Sequence, residues 1–258
     1  MNIKAIPILN VTLEEQVKVV LMLSMGFFIG IFVATYQVTA ESLFLNKLSS
    51  HLHKAFLISG GLGIAITLIF SFFQNRIRFS ALVFFSFLLI LVCTSALNYF
   101  YHFGTENLQD QILFLMYCLV GPLTALLLLC YWGLFARLFD FKQSKRIIGW
   151  IDTGQLLAII IANFMIPVSA NLFPNTSDYL IVCDISILGS IVCLAIIAFQ
   201  FGLARKQPQI TSEIRRETKF TKIFKDKYVV LLSLFLITSV VTLNFNQFIF
   251  QNLLVSKR

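Results

Sequence analysis

Seven apolar runs divide this chain, and each is long enough to cross a lipid bilayer. About 20 residues of helix span the roughly 30 Å of hydrocarbon in a typical bilayer. Because hydrocarbon offers no water to bind open backbone groups, runs of this length must fold as helices. Their apolar residues come in blocks, without the alternation of period two that is typical of a transmembrane barrel. The predicted spans are approximately 17–43, 55–73, 80–100, 112–138, 147–170, 179–201 and 228–250.

The composition agrees with a chain that is embedded in lipid. Hydrophobic residues make up 58% of it, including 28 phenylalanines, whereas soluble domains average roughly 45–50% apolar residues. The first run is too long for a cleaved signal peptide, and Glu14 and Glu15 precede it in place of a basic head. Thr12 and Glu15 have capping-box spacing, so we expect a helix to start near Leu13. We therefore predict an all-α polytopic membrane protein.

The basic residues predict the orientation of the chain, because Lys and Arg collect in the cytoplasmic loops of membrane proteins. With a cytoplasmic amino terminus, 16 of the 20 Lys and Arg residues lie inside. The net charge of +8 then comes mostly from basic residues that orient the chain in the membrane. A nucleic-acid partner, which requires a soluble basic face, is therefore not indicated.

The spacing of the spans predicts the domain organisation. Residues 1–203 are expected to form a six-helix bundle, residues 204–227 a basic cytoplasmic linker, and residues 228–258 a seventh span that begins a second bundle. This order matches the first half of a twelve-helix secondary transporter, whose halves contain inverted three-helix repeats. We expect a truncated transporter that lacks its C-terminal half, and a complete seven-helix protein is the alternative.

Other chemistry finds little support in the sequence. The five cysteines lie inside predicted spans without CxxC spacing, so we interpret them as packing residues. His51 and His53 are two residues apart with no carboxylate at ligand spacing, and we expect no metal site. The sequence has neither a GxSxG elbow nor a GxxxxGK[ST] loop, so we predict no enzymatic activity and no cofactor.

The stretch "LFARLFDFKQSKRIIGWIDTGQLL", residues 134–157, places six charged residues between two apolar runs. It resembles the region between the fourth and fifth helices in the bacterial ATP/ADP translocase-like branch of the major facilitator superfamily. The segments "ESLFLNKL" after the first span and "NFNQF" in the seventh are also similar. The residues that carry the pattern are Leu138, Phe139, Asp140, Gln143, Lys145, Arg146, Gly149, Ile151 and Gly154.

The resemblance implies two six-helix bundles, alternating access, a location in the bacterial inner membrane, and exchange of ATP for ADP. Nucleotide carriers need cations in the cavity, because a multiply charged anion in a medium of low dielectric constant must be paired. This chain has Gln37 and Ala40 where related sequences often carry a basic residue and an Arg-Asp pair, and no Lys or Arg lies mid-span. The small-molecule substrate therefore stays open, with a nucleotide as one candidate.

Polar residues inside the spans are candidates for a substrate cavity or gate, because such groups are costly in lipid. Tyr36, Gln37 and Glu41 form a polar shoulder on the first span, which should correspond to the fourth by inverted repetition. The alternative for Glu41 is an interfacial position at the outer end of the span. Asp184 is a further candidate, and the alternative is an aspartate at a helix end near the interface or one bonded to a neighbouring helix. Asn163 is another, with an interhelical bond as the alternative. The remaining candidates are Asn244, Asn246 and Gln247.

The charged stretch supplies candidates for a cytoplasmic latch that breaks and re-forms as the bundles move. Arg137 and Asp140 are three residues apart and are expected to pair on one helical face. Lys145 and Arg146 are expected to face anionic headgroups. Asp152 is expected to cap a helix or to pair across the turn. The alternative is a loop that only sets the topology and is held by salt bridges.

Glycine spacing predicts close helix contacts in two spans. Gly26 and Gly30 form a GxxxG pattern in the first span, and small residues at this spacing let helices approach closely. We expect the same of Gly60, Gly61 and Gly63 in the second span.

The function that these patterns favour is secondary transport of the major facilitator type. The alternative is a transport-inactive membrane anchor or sensor module for soluble domains encoded downstream. The lack of cations in the middle of the spans motivates that alternative.

Overall fold

The structure, a computed structural model, describes residues 13–74, 76–171, 173, 175–201 and 227–256. These residues form long helices and short 3-10 turns, with no strand among them. The long helices are α1 (Leu13–Lys47), α2 (Leu52–Gln74), α3 (Phe79–Phe103), α4 (Glu106–Leu138), α5 (Phe141–Val168), α6 (Tyr179–Phe201) and α7 (Lys227–Ser256). The 3-10 turns are Ser49–His51, Ser169–Asn171 and Thr176–Asp178.

The seven described helices are long and apolar enough to cross a membrane. Six of the predicted spans each lie within one helix of their own. The fifth predicted span runs two residues past Val168 into a 3-10 turn. The helices exceed most of the apolar runs because polar end turns keep their helical bonds in the headgroup region, where water satisfies the remaining groups. The prediction of helices that are long and apolar enough to cross a membrane is confirmed for the described residues.

The chain divides into two compact units, Met1–Ala204 and Arg205–Arg258. The first contains α1 to α6, and the second contains α7. The predicted linker, residues 204–227, lies outside the described residues apart from Lys227. The two units are therefore described separately.

In the first unit, the two central helices α1 and α4 contact each other and are flanked by the other four. α1 packs against α4, α5 and α6, whereas α4 packs against α1, α2 and α3, and α3 also packs against α6. These six extensive pairings map onto themselves when α1 is exchanged with α4, α2 with α5 and α3 with α6. The two halves of the bundle thus have equivalent neighbours.

The exchange also relates pairs of parallel helices to each other. Along α1 and α5, Leu23 lies against Gly154, and Gly30 lies further on against Ala158. These contacts leave no space for side chains, because a Cβ at Gly30 would lie 2.7 Å from the Cβ of Ala158. The equivalent pair, α2 and α4, is also parallel, with contacts between Ala55 and Cys118 and between Ser59 and Gly121.

The exchange likewise relates pairs of antiparallel helices to each other. Phe28 of α1 packs on Gly189 of α6, and Thr35, further along α1, bonds to Cys183, earlier in α6, at 3.1 Å. In the equivalent pair, α4 and α3, the contacts join Gly133 with Phe79 and Cys130 with Ser86. The exchange therefore preserves both the neighbours and the directions of the helices.

Two buried tyrosines join the central helices. The Tyr36 hydroxyl of α1 donates to the backbone oxygen of Met116 at 3.1 Å. The Tyr131 hydroxyl of α4 lies 3.1 Å from the backbone oxygen of Met22 and 3.2 Å from that of Ile151. A buried hydroxyl without a partner is costly, so these bonds help to set how α1, α4 and α5 meet.

The glycine predictions are right for α1 and wrong for α2. Gly26 lies directly against the Tyr131 hydroxyl, so a larger residue would collide with it. In contrast, a Cβ at Gly60, Gly61 or Gly63 would have no described atom within 4 Å. Gly60 and Gly61 are exposed on a face of α2 that is turned away from α4, because α4 contacts the face that carries Ala55 and Ser59. Gly63 is half-buried one turn beyond Ser59, where the space around it is open.

Candidate functional site

The first polar cluster lies at the end of the six-helix unit where α1, α3 and α5 begin, which we call the basic end. Arg146 of α5 forms an ion pair with Glu15 of α1, through Nη2 and Oε2. Gln143 donates from Nε2 to the other carboxylate oxygen of Glu15 at 2.6 Å. Glu15 is buried, whereas about a third of the Arg146 side chain is exposed. The first turns of α1 and α5 are thereby bonded to each other.

The start of α5 explains why Gln143 is available for this bond. Asp140 is the N-cap of α5 and forms a capping box with Gln143. In this box the Gln143 Oε1 accepts the backbone N–H of Asp140 at 3.0 Å, which leaves its Nε2 to donate to Glu15. The cap and the ion pair therefore share one side chain, and the site joins the α4–α5 turn to α1.

The predicted pairing of Arg137 with Asp140 is wrong. The Arg137 guanidinium lies 3.5 Å from the centroid of the Phe79 ring and donates to the backbone oxygen of Gly133 at 3.0 Å. The physical reason is that α4 ends at Leu138 and Phe139 is extended, so the two residues do not share a helical face. The cation is instead held by an aromatic face of α3.

The remaining latch candidates have different surroundings. Lys145 is exposed, with its Nζ 4.7 Å from the centroid of the Phe141 ring. Asp152 lies about three turns into α5, so it does not cap this helix, and it has no ion pair with any described residue. The structure thus brings Arg146 and Asp140 into one cluster and leaves Arg137, Lys145 and Asp152 outside it.

The polar shoulder of α1 divides between two faces. Tyr36 is buried against α4, as described above. Gln37 and Glu41 are half-buried and lie one turn apart, and the Gln37 Nε2 donates to the Glu41 Oε1 at 3.0 Å. Only Gln37 and Glu41 therefore present polar groups to a partly open surface.

Asp184 lies between α6 and α3. Its carboxylate accepts hydrogen bonds from the hydroxyls of Thr94 at 2.6 Å and Ser95 at 3.0 Å. The alternative interpretation, a bond to a neighbouring helix, describes this contact. Asp184 does not join the Gln37–Glu41 pair, since the bonds of its carboxylate go to α3.

The amide candidates bond mainly within their own helices. Asn163 is exposed and donates from Nδ2 to the backbone oxygen of Ile159 at 2.9 Å, so the expected bond between helices is not formed with any described residue. In α7, Asn244 donates to the backbone oxygen of Val240 at 2.8 Å. Asn246 and Gln247 lie on the same helix, and a cavity role for the three stays a prediction.

A surface groove of about 390 Å³ lies between α1 and α5. Its lining is almost wholly apolar, and Ser24 supplies the one hydroxyl. The Lys and Arg residues of the described helices all lie within the first or last two turns. Neither this groove nor the middle of any described helix supplies a cation for a phosphate group.

Four residues of these clusters were missed as candidates: Glu15, Gln143, Thr94 and Ser95. A usable signal existed for Glu15, because it is an acid at the start of an apolar run whose predicted side of the membrane also holds the basic 142–146 segment. The capping partner of Glu15, Thr12, lies outside the described residues.

Comparisons of the chain with protein-family models, curated proteins and solved structures found no match.

Proposed function

We propose that this chain belongs to a secondary transporter of the major facilitator type that works by alternating access. The observation that carries the proposal is the exchange of α1 with α4, α2 with α5 and α3 with α6, which preserves the extensive pairings of the bundle. Consecutive spans alternate in direction across a bilayer, so α1 and α4 point in opposite directions. Two three-helix units with opposite orientation are the inverted repeat found within each six-helix half of these transporters.

The polar surface of α1 supports the same proposal. α1 and α4 are the central helices of the unit, and in this architecture the substrate site lies at the repeat interface near the bilayer midplane. Gln37 and Glu41 lie on α1, beyond the closest contacts with α5, and are half-buried. A half-buried amide and carboxylate are costly against lipid, so a water-filled cavity is the favourable environment for them.

The cargo is a small molecule, and ATP/ADP exchange is the first activity to assay. The resemblance of residues 134–157 to nucleotide exchangers supports that choice. The confinement of Lys and Arg to the terminal turns of the described helices argues for a cargo with fewer negative charges. In either case we propose an integral protein of the bacterial inner membrane with a cytoplasmic amino terminus.

The cavity is tested by thiol accessibility in the protein expressed from its complete gene, with the five native cysteines replaced. Gln37→Cys is expected to react with a membrane-impermeant thiol reagent on the order of tenfold faster than Val92→Cys, because only water supports the reactive thiolate. Val92 is the matched control, since it is 61% exposed near the middle of α3. Equally slow labelling at both positions would contradict a water-filled cavity.

The nucleotide cargo is tested separately by uptake of labelled ATP into proteoliposomes loaded with ADP. Exchange above that of protein-free liposomes supports the nucleotide exchanger. If exchange is absent while Gln37→Cys is labelled rapidly, the cargo is a different small molecule. If both assays fail, the transport-inactive membrane module is the better description.

A further inference from the structure

A polar seam runs along the contact between α3 and α6, away from the central α1–α4 pair. On α3 its polar residues recur at about one-turn intervals, from Thr94 and Ser95 through Asn98 to His102. On the α6 side they are Asp184 and, just before the helix begins, Asp178. Because α3 and α6 are antiparallel, the seam extends from Asp184 to the end of the bundle opposite the basic end. We call this set of six residues the α3–α6 seam.

Asp184 faces hydroxyls and thiols, with no cation among the described residues around it. α3 contributes Thr94 and Ser95 as hydrogen-bond donors. The titratable group that interacts with it is Cys183 on its own helix. The other ionisable groups of the seam, His102 and Asp178, lie at its end. A carboxylate at this position has hydrogen bonds without a counter-ion, and a charge buried in lipid without a counter-ion is costly.

The surroundings of Asp184 satisfy both its charged and its neutral form. The Thr94 Oγ1 carries one proton but lies within bonding distance of three acceptors: Asp184 at 2.6 Å, Ile90 O at 3.0 Å and Leu91 O at 3.1 Å. When Asp184 is charged, Thr94 and Ser95 both donate to it. When Asp184 is neutral, its own O–H donates to a hydroxyl oxygen, and Thr94 turns its proton to a backbone carbonyl. In neither state is the carboxyl group of Asp184 or the hydroxyl of Thr94 left without a partner.

The seam also places polar groups between Asp184 and the partly exposed end of the bundle. The His102 Nε2 lies 3.7 Å from the Asp178 Oδ1, and both side chains are partly exposed. The other ring nitrogen of His102 lies 3.1 Å from the backbone oxygen of Asn98. The Asn98 Oδ1 is buried and has no hydrogen-bond partner among the described residues. Asn98 lies one turn from Thr94, so an acceptor without a donor stands between His102 and the hydroxyls around Asp184.

We infer that Asp184 is a proton-binding site that exchanges with the solution through the His102 end of the α3–α6 seam. A hydronium ion or the His102 imidazolium supplies the proton, the carboxylate becomes a carboxylic acid, and release reverses the step. The two ring nitrogens of an imidazole can take up a proton on one side and release one on the other, so His102 is suited to relay protons at the exposed end of the seam. A role for this proton as the coupling ion rests on the proposed transporter function. The proton-binding site itself does not depend on that function.

The site is tested by infrared difference spectroscopy of the purified full chain in lipid, titrated over pH without any cargo. The C=O stretch of a protonated carboxyl is expected to appear as the pH falls and to lose one component in Asp184→Asn. Asp178→Asn is the matched control and should keep that component. Asparagine has the size of the neutral acid, and Thr94→Val gives a second test should Asp184→Asn fail to fold. Loss of the Thr94 hydroxyl should move the titration midpoint to higher pH, because it removes a donor to the charged form.

An unchanged carboxyl band in Asp184→Asn, or an unmoved midpoint in Thr94→Val, would overturn the inference. A carboxylate band that responds to Na⁺ at constant pH and vanishes in Asp184→Asn would replace the proton with a metal cation, and would also overturn it. These measurements involve no transport. Their failure therefore leaves the transporter proposal standing, and a failed uptake assay leaves the proton site standing.

Discussion

Arg146 of α5 and Glu15 of α1 form an ion pair, although 131 positions separate them in the sequence. Both residues belong to the same six-helix unit. A latch that opens as two bundles rock requires groups from both bundles, so this pair is suited to bracing one bundle instead. The other residues of the cluster, Gln143 and Asp140, reinforce the same brace.

Arg146→Gln should lower the free energy of unfolding by about 1–2 kcal/mol, because it removes a cation that is paired with the buried Glu15. The estimate lies below the full value for a buried pair, since about a third of the Arg146 side chain is exposed to solvent. Unfolding in mixed micelles with increasing denaturing detergent measures it. Lys145→Gln removes the exposed neighbouring cation and should change stability by less than about 0.5 kcal/mol. Equal effects of the two substitutions would contradict the brace.

Tyr131→Phe and Tyr36→Phe should each lower the free energy of unfolding by about 1 kcal/mol, which is the typical contribution of one hydrogen bond. Each substitution removes one hydroxyl that bonds to the backbone of another helix. The ring is retained, so the core is not left with a cavity. Tyr99→Phe, at a ring that is 60% exposed, is the control and should be nearly neutral. If Tyr99→Phe lowers the free energy of unfolding as much as the two buried substitutions, the effect of losing a hydroxyl does not come from these hydrogen bonds.

Gly26→Ala should destabilise the bundle by about 2 kcal/mol through overpacking, because the new methyl group collides with the Tyr131 hydroxyl. Gly63→Ala should instead leave stability unchanged or raise it by up to about 1 kcal/mol, since its position is open and alanine favours helix. Thermal unfolding of the two variants, compared in the same detergent, measures the difference. The prediction fails if Gly63→Ala is the more damaging substitution.

Asp140→Asn should change stability by less than about 0.5 kcal/mol, because asparagine caps a helix about as well as aspartate. Asp140→Ala should lower it by about 1 kcal/mol, since the cap of α5 is lost. The same unfolding assay compares them. Once a cargo is known, an unchanged transport rate in Asp140→Asn is the expected result for a brace. A changed rate at unchanged stability would favour the latch.

The number and class of the helices could be predicted from the sequence, because crossing hydrocarbon imposes a minimum length and an apolar composition on each span. A local sequence pattern also gave a correct prediction of close helix contacts in α1. The GxxxG pair of α1, Gly26 and Gly30, lies at close contacts as expected. The same type of signal failed for Gly60 and Gly61, because an open helix face and a packed one can have the same glycine spacing.

The candidate site was less predictable, because its partners come from different helices. Residues 137 and 140 look paired at helical spacing, but one extended residue, Phe139, separates them into two helices. Asp184 could be recognised as an unusual acid within a span, but its donors, Thr94 and Ser95, lie on α3 about 90 positions earlier.

The sequence alone determined that this protein has helices long and apolar enough to span a membrane, and it predicts that the positive charges lie mainly on one side. Hydrophobicity and charge act residue by residue, so they can be summed along the chain. Only the tertiary structure decided which acid meets which donor, because those pairs depend on how α1, α5, α3 and α6 approach one another. That approach is set by packing at Gly30 and Gly154 and by buried hydroxyl bonds such as that of Tyr131, which no single segment contains.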